Sequence, residues 1–158
     1  MSHTATAAPQ RSIPNSIAKI GPNALIQSLR VLRETCSPDA IQHILEQCQL
    51  TVLLDELPEH MVDERLFERM ASATCQQLGS AVASDVMWRA GRHTGDYLLA
   101  HRIPGFFQRI LRVLPARWSL ALLLLAIRQH AWTFIGSGDF SYTLGHTPNL
   151  TIQHTLTP

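Results

Sequence analysis

The sequence predicts an α+β fold in which a mostly helical layer packs on a small antiparallel β-sheet. Two observations predict it: apolar residues recur at helical spacing over residues 17–134, and apolar and polar residues alternate over residues 140–155. The chain has 158 residues, of which 46% are apolar and 16% charged, so it can form one core. We therefore expect residues 1–16 to form a disordered tail and residues 17–158 a single domain.

Capping and helix-breaking residues divide the helical region. Pro22 suits the first turn of one helix, and Ser37 followed by Pro38 supplies the N-cap and first position of the next. A long helix is predicted over residues 80–103, and a Pro-Gly pair ends it.

Two more helices are predicted after that break. The first is short and basic, with apolar side chains on one side and arginines on the other: Phe106, Phe107, Ile110, Leu111 and Leu114 against Arg109 and Arg112. The second, over residues 116–134, is apolar nearly all round between residues 120 and 127. This pattern predicts the central buried helix of the fold.

The C-terminal alternation predicts a β-hairpin. Its strands cover residues 140–144 and 150–154, with a turn between them. An isolated hairpin is marginally stable, so it should pack on the helices or pair with another strand. Residues 50–56 are the candidate for that strand.

The charges exclude one class of function and suggest another. The net charge of +1 argues against a general nucleic-acid binder. Residues 1–33 carry a net charge of +4, residues 34–69 of −7, and residues 70–158 of +4. Twelve of the 13 basic residues are arginines, which suits bidentate recognition of carboxylates, although a GC-rich genome gives the same bias.

The cysteines and the N-terminus indicate the compartment. Cys36, Cys48 and Cys75 do not form a disulfide, zinc or iron–sulfur pattern, so we expect buried free thiols in a reducing compartment. The N-terminus lacks a secretory apolar region, and the longest apolar stretch, residues 118–127, is too short to span a bilayer. A soluble cytoplasmic protein is expected.

The common catalytic signatures are absent. The sequence contains no GxGxxG, GxxxxGK[ST], HExxH or GxSxG motif. The glycine-rich residues 136–138 follow a predicted helix and precede a predicted strand, the wrong order for a phosphate-binding loop. A connector is the better interpretation.

One face of the long helix carries candidate binding residues. Arg89, His93, Tyr97 and His101 follow one another at a spacing of four residues. The two histidines are eight residues apart, which excludes a paired metal site. The row suits a carboxylate-binding or polar-capping face.

The same helix allows a purely structural interpretation. Arg92 can pair with Asp96 at i, i+4 on a solvated face, without binding a ligand. Gly91 and Gly95 lie on an adjacent face, where another helix or a flat ligand can approach the backbone.

A second cluster ends the last predicted helix. Arg128, His130, Trp132 and Phe134 lie close together in sequence there. Either the helix dipole simply favours a histidine at this end, or the cluster forms a pocket rim. In the second case the rim has aromatic walls and an imidazole that can ligate a chelated magnesium axially.

Four sequence blocks carry a resemblance to a known family. They are IGPNA (residues 20–24), MVDE (61–64), GRHTGDYLLAHRIP (91–104) and HAWTFIGSG (130–138). Through them the chain resembles the bacteriochlorophyll 4-vinyl reductase J protein family of phototrophic bacteria. This family belongs to the 4-vinyl reductase domain superfamily, related to subunits of vesicle-tethering complexes and to haem-based nitric-oxide sensors. The resemblance implies a helical layer on an antiparallel sheet, and a homodimer.

The resemblance also implies a role at the 8-vinyl (4-vinyl) reduction step of bacteriochlorophyll synthesis. The first hypothesis is a protein that binds the magnesium-tetrapyrrole intermediate and presents it to a reductase. The second is the reductase itself, which reduces the vinyl group to ethyl with electrons from NADPH or a reduced partner. The third is a non-enzymatic protein-interaction module.

The sequence assigns binding candidates but no catalytic residue, metal-ligating set or cofactor site. The expected ligand is a protochlorophyllide-like magnesium tetrapyrrole, and the expected partners are other enzymes of bacteriochlorophyll synthesis. NADPH is expected only for the reductase hypothesis. We expect a cytoplasmic location, with peripheral association at the photosynthetic membrane as the alternative. The candidate ligand-binding residues are Arg92, His93, Tyr97, His101, Arg102, His130 and Trp132.

Overall fold

The computed structural model describes residues 18–145 and 147–153. The predicted tail, residues 1–16, and His154 of the last predicted strand lie outside the described residues. The described chain forms two compact units, an N-terminal unit (residues 19–102) and a C-terminal unit (residues 103–153). Their helices and short antiparallel strands confirm the α+β class, and the single-domain interpretation stays a prediction.

The N-terminal unit contains four α-helices, a 3₁₀ turn and one pair of short strands. In chain order these are β1 (Lys19–Ile20), α1 (Asn23–Thr35), α2 (Pro38–Gln47), the 3₁₀ turn (Thr51–Leu54), β2 (Val62–Asp63), α3 (Glu64–Leu78) and α4 (Ser80–His101). β1 pairs antiparallel with β2, with Lys19 opposite Asp63.

The predicted strand at residues 50–56 is wrong. The segment forms a 3₁₀ turn, in which the Leu53 amide donates to the Leu50 carbonyl at 3.0 Å. Leu53 alone among the four residues of this turn is buried. A short apolar run does not distinguish a strand from a helical turn by periodicity, which explains the error.

Helix α1 supplies the centre of the core in this unit. Its Leu25, Leu29 and Leu32 are buried, and α1 packs on α2, α3 and α4. The partners contribute Ile41, Ile44 and Leu45 from α2, Met70 and Ala73 from α3, and Val86 and Ala90 from α4.

Side-chain caps begin two of these helices. The Ser37 hydroxyl accepts a hydrogen bond from the Ala40 amide at 3.4 Å, with Pro38 at the first position of α2, which confirms the predicted cap. Asp63 begins α3 in the same way, because its carboxylate accepts from the Arg65 amide at 2.9 Å.

The C-terminal unit contains three helices and a hairpin. They are α5 (Gly105–Val113), α6 (Ala116–His130), α7 (Trp132–Ile135), β3 (Asp139–Thr143) and β4 (Asn149–Gln153). β3 and β4 pair antiparallel, with Phe140 opposite Ile152 and Tyr142 opposite Leu150, which confirms the predicted hairpin.

The expectation that residues 116–134 form a central buried helix is wrong. Helix α6 ends at His130, and Leu124 is its one buried residue, whereas Trp118 is 70% exposed. Among the residues described in this unit, α6 has only α5, the one-turn α7 and a two-stranded hairpin as neighbours. These elements are too few to cover a helix on every side. No helix in the described parts of the chain combines the length and the apolar character needed to cross a membrane.

Gly79 joins α3 to α4 as a single residue. Its backbone has φ 80° and ψ 160°, a region that is essentially restricted to glycine. A Cβ atom placed there would meet no atom within 4 Å, so the requirement for glycine is conformational.

We expect Gly79→Ala to lower the free energy of unfolding by about 1–3 kcal/mol, the cost of holding a residue with a Cβ in this conformation. Gly95→Ala is the matched control, because Gly95 lies within helix α4 and its Cβ position is also open. That control should raise the free energy by roughly 0.5–1 kcal/mol. Urea denaturation followed by circular dichroism measures both. Equal stability of Gly79→Ala and the parent would contradict the assigned backbone conformation.

Candidate functional site

Helix α4 divides its candidate binding residues between two faces. Residues of an α-helix advance by about 100° each, so positions four and seven apart share a face. On this spacing Arg92 and Arg102 fall on the side opposite the buried Val86 and Ala90. We call this side the outer row, and it contains Trp88, Gly91, Arg92, Gly95, Leu99 and Arg102.

The remaining three candidates on this helix continue its buried side. His93 and Tyr97 are half-buried, and His101 is exposed at the last position of α4. We call these three residues the inner row. The candidate residues of this helix therefore fall on two faces, with arginines on one and the imidazoles and phenol on the other.

The outer row places a cation over an exposed aromatic ring. The Cζ atom of Arg92 lies 5.2 Å from the centroid of the Trp88 ring, which is a cation–π contact, and Trp88 is 61% exposed. Among the described residues, Arg92 forms no ion pair with Asp96. The predicted Arg92–Asp96 pairing is therefore wrong. The Trp88 ring provides an alternative partner at the same i, i+4 spacing, on the other side of Arg92.

The backbone beside this contact is open. A Cβ atom added at Gly91 or at Gly95 would have no neighbour within 4 Å. Both glycines are exposed, as is Leu99 one turn beyond Gly95. The outer row therefore presents a shallow apolar strip with a guanidinium over one end.

The inner row orients one imidazole. The rings of Tyr97 and His101 stack with centroids 4.6 Å apart and planes 21° apart. His101 Nδ1 lies 3.0 Å from the Tyr97 carbonyl oxygen. Because a carbonyl only accepts, Nδ1 carries the hydrogen in this contact and Nε2 is the basic nitrogen of the neutral ring.

Arg89 has a structural role rather than a place in either row. Its guanidinium donates to the Glu34 carboxylate at 2.6 Å and to the Thr35 hydroxyl at 3.1 Å, at the end of α1. Asp85 lies 3.9 Å away on the same helix. These contacts link α4 to α1, so Arg89 stabilises the packing of the two helices.

The other two candidates belong to the C-terminal unit. His130 is exposed at the end of α6, and its carbonyl accepts a hydrogen bond from the Thr133 hydroxyl at 2.7 Å. Trp132 begins α7, and the position of its side chain lies outside what the structure describes. Their assignment as ligand-binding residues stays a prediction.

Each unit also contains a concave surface. In the C-terminal unit, helix α6 forms most of an open apolar groove of about 400 Å³, lined by Leu114, Trp118, Ala121, Leu122, Leu125 and Tyr142. In the N-terminal unit, a hollow of about 350 Å³ has Glu56, Glu59 and His60 among its lining residues. The two glutamates make the second hollow unsuitable for a carboxylate ligand.

Trp88 and the groove were not among the features predicted from the sequence. Trp88 precedes Arg92 by four residues, a spacing that could have indicated the cation–π pair. The groove had no such signal, because it forms only when Tyr142 of β3 meets the exposed side of α6, about 20 residues earlier in the sequence. Among the residues that the structure describes, no three His, Cys, Asp or Glu side chains are grouped to hold a metal ion.

Comparison with known proteins adds two relatives. The chain is similar to the bacteriochlorophyll synthase 23 kDa chain. It is 38% identical to that protein from Rhodobacter capsulatus over 136 residues, which are 86% of this chain and 61% of the relative. It is 37% identical to that from Cereibacter sphaeroides over 130 residues, which are 80% of this chain and 60% of the relative.

The chain thus spans about three fifths of the length of each of these relatives. Their names associate both with bacteriochlorophyll synthesis and do not specify a vinyl-reduction step. No family model matches the chain, and no solved structure does.

The three cysteines differ in exposure, against the expectation that all are buried. Cys48 is buried, Cys36 is half-buried, and Cys75 is exposed on α3. Burial raises the pKa of the Cys48 thiol, an effect that backbone hydrogen bonds and Arg69 partly oppose. Burial also raises the pKa of Cys36.

We expect iodoacetamide to modify Cys75 first, at least about tenfold faster than Cys48 in the folded protein. A raised pKa leaves less thiolate at a given pH, and the thiolate is the reactive form, so burial slows Cys48 in two ways. Mass spectrometry of peptides over a time course measures the order. Cys75→Ser should remove the fast phase, and a fast phase that persists in this variant would contradict the assignment.

Proposed function

We propose that this chain binds a magnesium-tetrapyrrole intermediate of bacteriochlorophyll synthesis at the 8-vinyl (4-vinyl) reduction step. In this role it presents the vinyl-bearing molecule to a reductase. Similarity to the bacteriochlorophyll synthase 23 kDa chains supports the pathway. The resemblance of residues 91–104 and 130–138 to the 4-vinyl reductase J family supports the step.

The observation that carries the proposal is the outer row of α4. Arg92 lies over the exposed Trp88 ring, beside Gly91 and Gly95, whose Cβ positions are open. A tetrapyrrole is a flat apolar ring with a propionate carboxylate at its edge. An open strip with an aromatic side chain and a guanidinium complements both of these properties.

Each residue of the outer row then has a distinct role. Gly91 and Gly95 let the macrocycle approach the helix backbone, and Trp88 provides an aromatic surface next to it. Arg92 binds the propionate, because its planar guanidinium can donate two hydrogen bonds to a carboxylate. Arg102 lies at the C-terminal end of the row as a second cation.

The inner row offers a different contact with the same ligand. Nε2 of His101 is the nitrogen with which an imidazole can ligate the chelated magnesium, with Nδ1 held by a backbone carbonyl. The inner and outer rows lie on opposite sides of α4, so one macrocycle does not contact both at once. We assign the ligand to the outer row. Substitution of His101 then tests whether the ligand binds the inner row instead.

We expect Arg92→Gln to weaken binding of divinyl protochlorophyllide by about ten- to a hundredfold, equivalent to about 1.5–3 kcal/mol for one charge-assisted pair. Titration followed by the absorption bands of the tetrapyrrole measures the affinity. Arg65→Gln is the matched control, because Arg65 is an exposed arginine on α3. This control should bind as the parent does.

Two further variants test whether a loss of affinity reflects the position of the ligand or a loss of folded structure. Gly95→Ala should weaken binding although it is expected to stabilise the fold, because its Cβ enters the strip that the macrocycle covers. His101→Gln should leave the affinity unchanged. Loss of binding in His101→Gln, with full binding in Arg92→Gln, would place the ligand on the inner row.

Addition of NADPH distinguishes the remaining hypotheses in the same assay. A band shift on binding, without conversion of the vinyl group, is expected for the presenting role. Conversion by the purified chain would instead identify it as the reductase. Absence of any shift would favour the interaction module.

A further inference from the structure

Helix α5 exposes an apolar face that no described part of its own unit covers. Phe106, Ile110 and Val113 follow at i, i+4 and i+7, and they are 66%, 45% and 85% exposed. Phe107 and Leu111 are half-buried on the adjacent side, and α5 packs on α6. The apolar arc of α5 is thus wider than the part that packs within the unit.

The rest of this helix and its surroundings are basic. Arg109 is exposed at the edge of the apolar face, Arg112 is exposed on the polar side of α5, and Arg117 is exposed at the start of α6. Residues 103–138 of the C-terminal unit contain four arginines and no acidic residue. The 70% exposed Trp118 follows Arg117 and extends the exposed apolar surface.

We propose that α5 is a membrane-surface helix that binds anionic phospholipid. Its apolar face enters the boundary between headgroups and acyl chains, and its arginines contact the lipid phosphates. Exposed phenylalanine and tryptophan beside arginines are the side chains that interfacial helices use. The inference is independent of the proposed tetrapyrrole site on α4.

Charge favours an anionic surface over a second copy of this chain as the occupant of the face. Antiparallel pairing of two α5 helices on this face would bring Arg109, which flanks the face, close to Arg109 of the other copy. Such like-charge contacts oppose association. A bilayer that contains anionic lipid attracts each arginine and also takes up the apolar side chains.

The test is co-sedimentation of the full chain with vesicles, in the absence of tetrapyrrole. One set contains phosphatidylcholine alone, and the other contains phosphatidylcholine and phosphatidylglycerol at roughly 2:1. We expect binding to the anionic vesicles that weakens as salt rises, and much weaker binding to the neutral set. Equal binding to both sets would overturn the proposal.

Variants on α5 and matched variants elsewhere locate the contact. Arg109→Gln and Arg112→Gln should each weaken binding by about fivefold, and Phe106→Ser by about tenfold. The controls Arg65→Gln and Val52→Ser change exposed residues of the N-terminal unit and should bind as the parent does. Circular dichroism checks that each variant is folded, and the charge variants keep the test valid if Phe106→Ser does not fold.

Two results would contradict the assignment to α5. Unchanged vesicle binding in all three α5 variants would place the lipid contact elsewhere. Conversion of an oligomer to a monomer by Phe106→Ser, with unchanged vesicle binding, would show that a second copy covers this face. Because the assay contains no tetrapyrrole, neither result depends on whether the chain binds one.

Discussion

The packing of α1 against the small side chains of α4 is the constraint on which the candidate site depends. Ala83, Val86 and Ala90 form the buried side of α4, and Val86 and Ala90 share one core cluster with the leucines of α1. Each buried leucine contributes about 1.5–3 kcal/mol, so this choice of buried side is strongly determined. Arg89 reinforces it through Glu34 at the end of α1. The rotation of α4 about its axis is therefore fixed, and Trp88 is held outward.

Local signals in the sequence were sufficient where one short segment determines the structure. The Ser37-Pro38 pair begins α2, and alternation over residues 140–144 indicates β3, because caps and period-two patterns act over a few residues. Position within the fold was harder to predict. An apolar surface on α6 predicts burial only if enough other elements cover it, and the number of covering elements is a property of the assembled unit. The 3₁₀ turn after α2 is too short for periodicity to identify.

For the candidate site, too, the sequence predicted local arrangement better than position in the fold. Spacing predicted one face for Arg89, His93, Tyr97 and His101; the last three lie on one side of α4, whereas Arg89 pairs with Glu34 of α1. It could not say which side faces the core, because α4 carries small residues on both sides, with Ala83 and Ala90 inward and Gly91 and Gly95 outward. Nor could it choose the partner of Arg92, since Trp88 and Asp96 are both four residues away. The folded helix selects the tryptophan.

Because Gly79 alone connects α3 to α4, the rotation of α4 about its own axis is coupled to that of α3. Since α3 ends at Leu78 and α4 begins at Ser80, the joint has no spare length to absorb a change in register. One extra residue in α4 between Gly79 and Val86 would turn every later side chain by about 100° relative to the earlier ones. The alanines would then leave the α1 interface, and bulky or charged neighbours would replace them. Among sequences that keep this fold, α4 should therefore tolerate substitutions far more readily than changes in length.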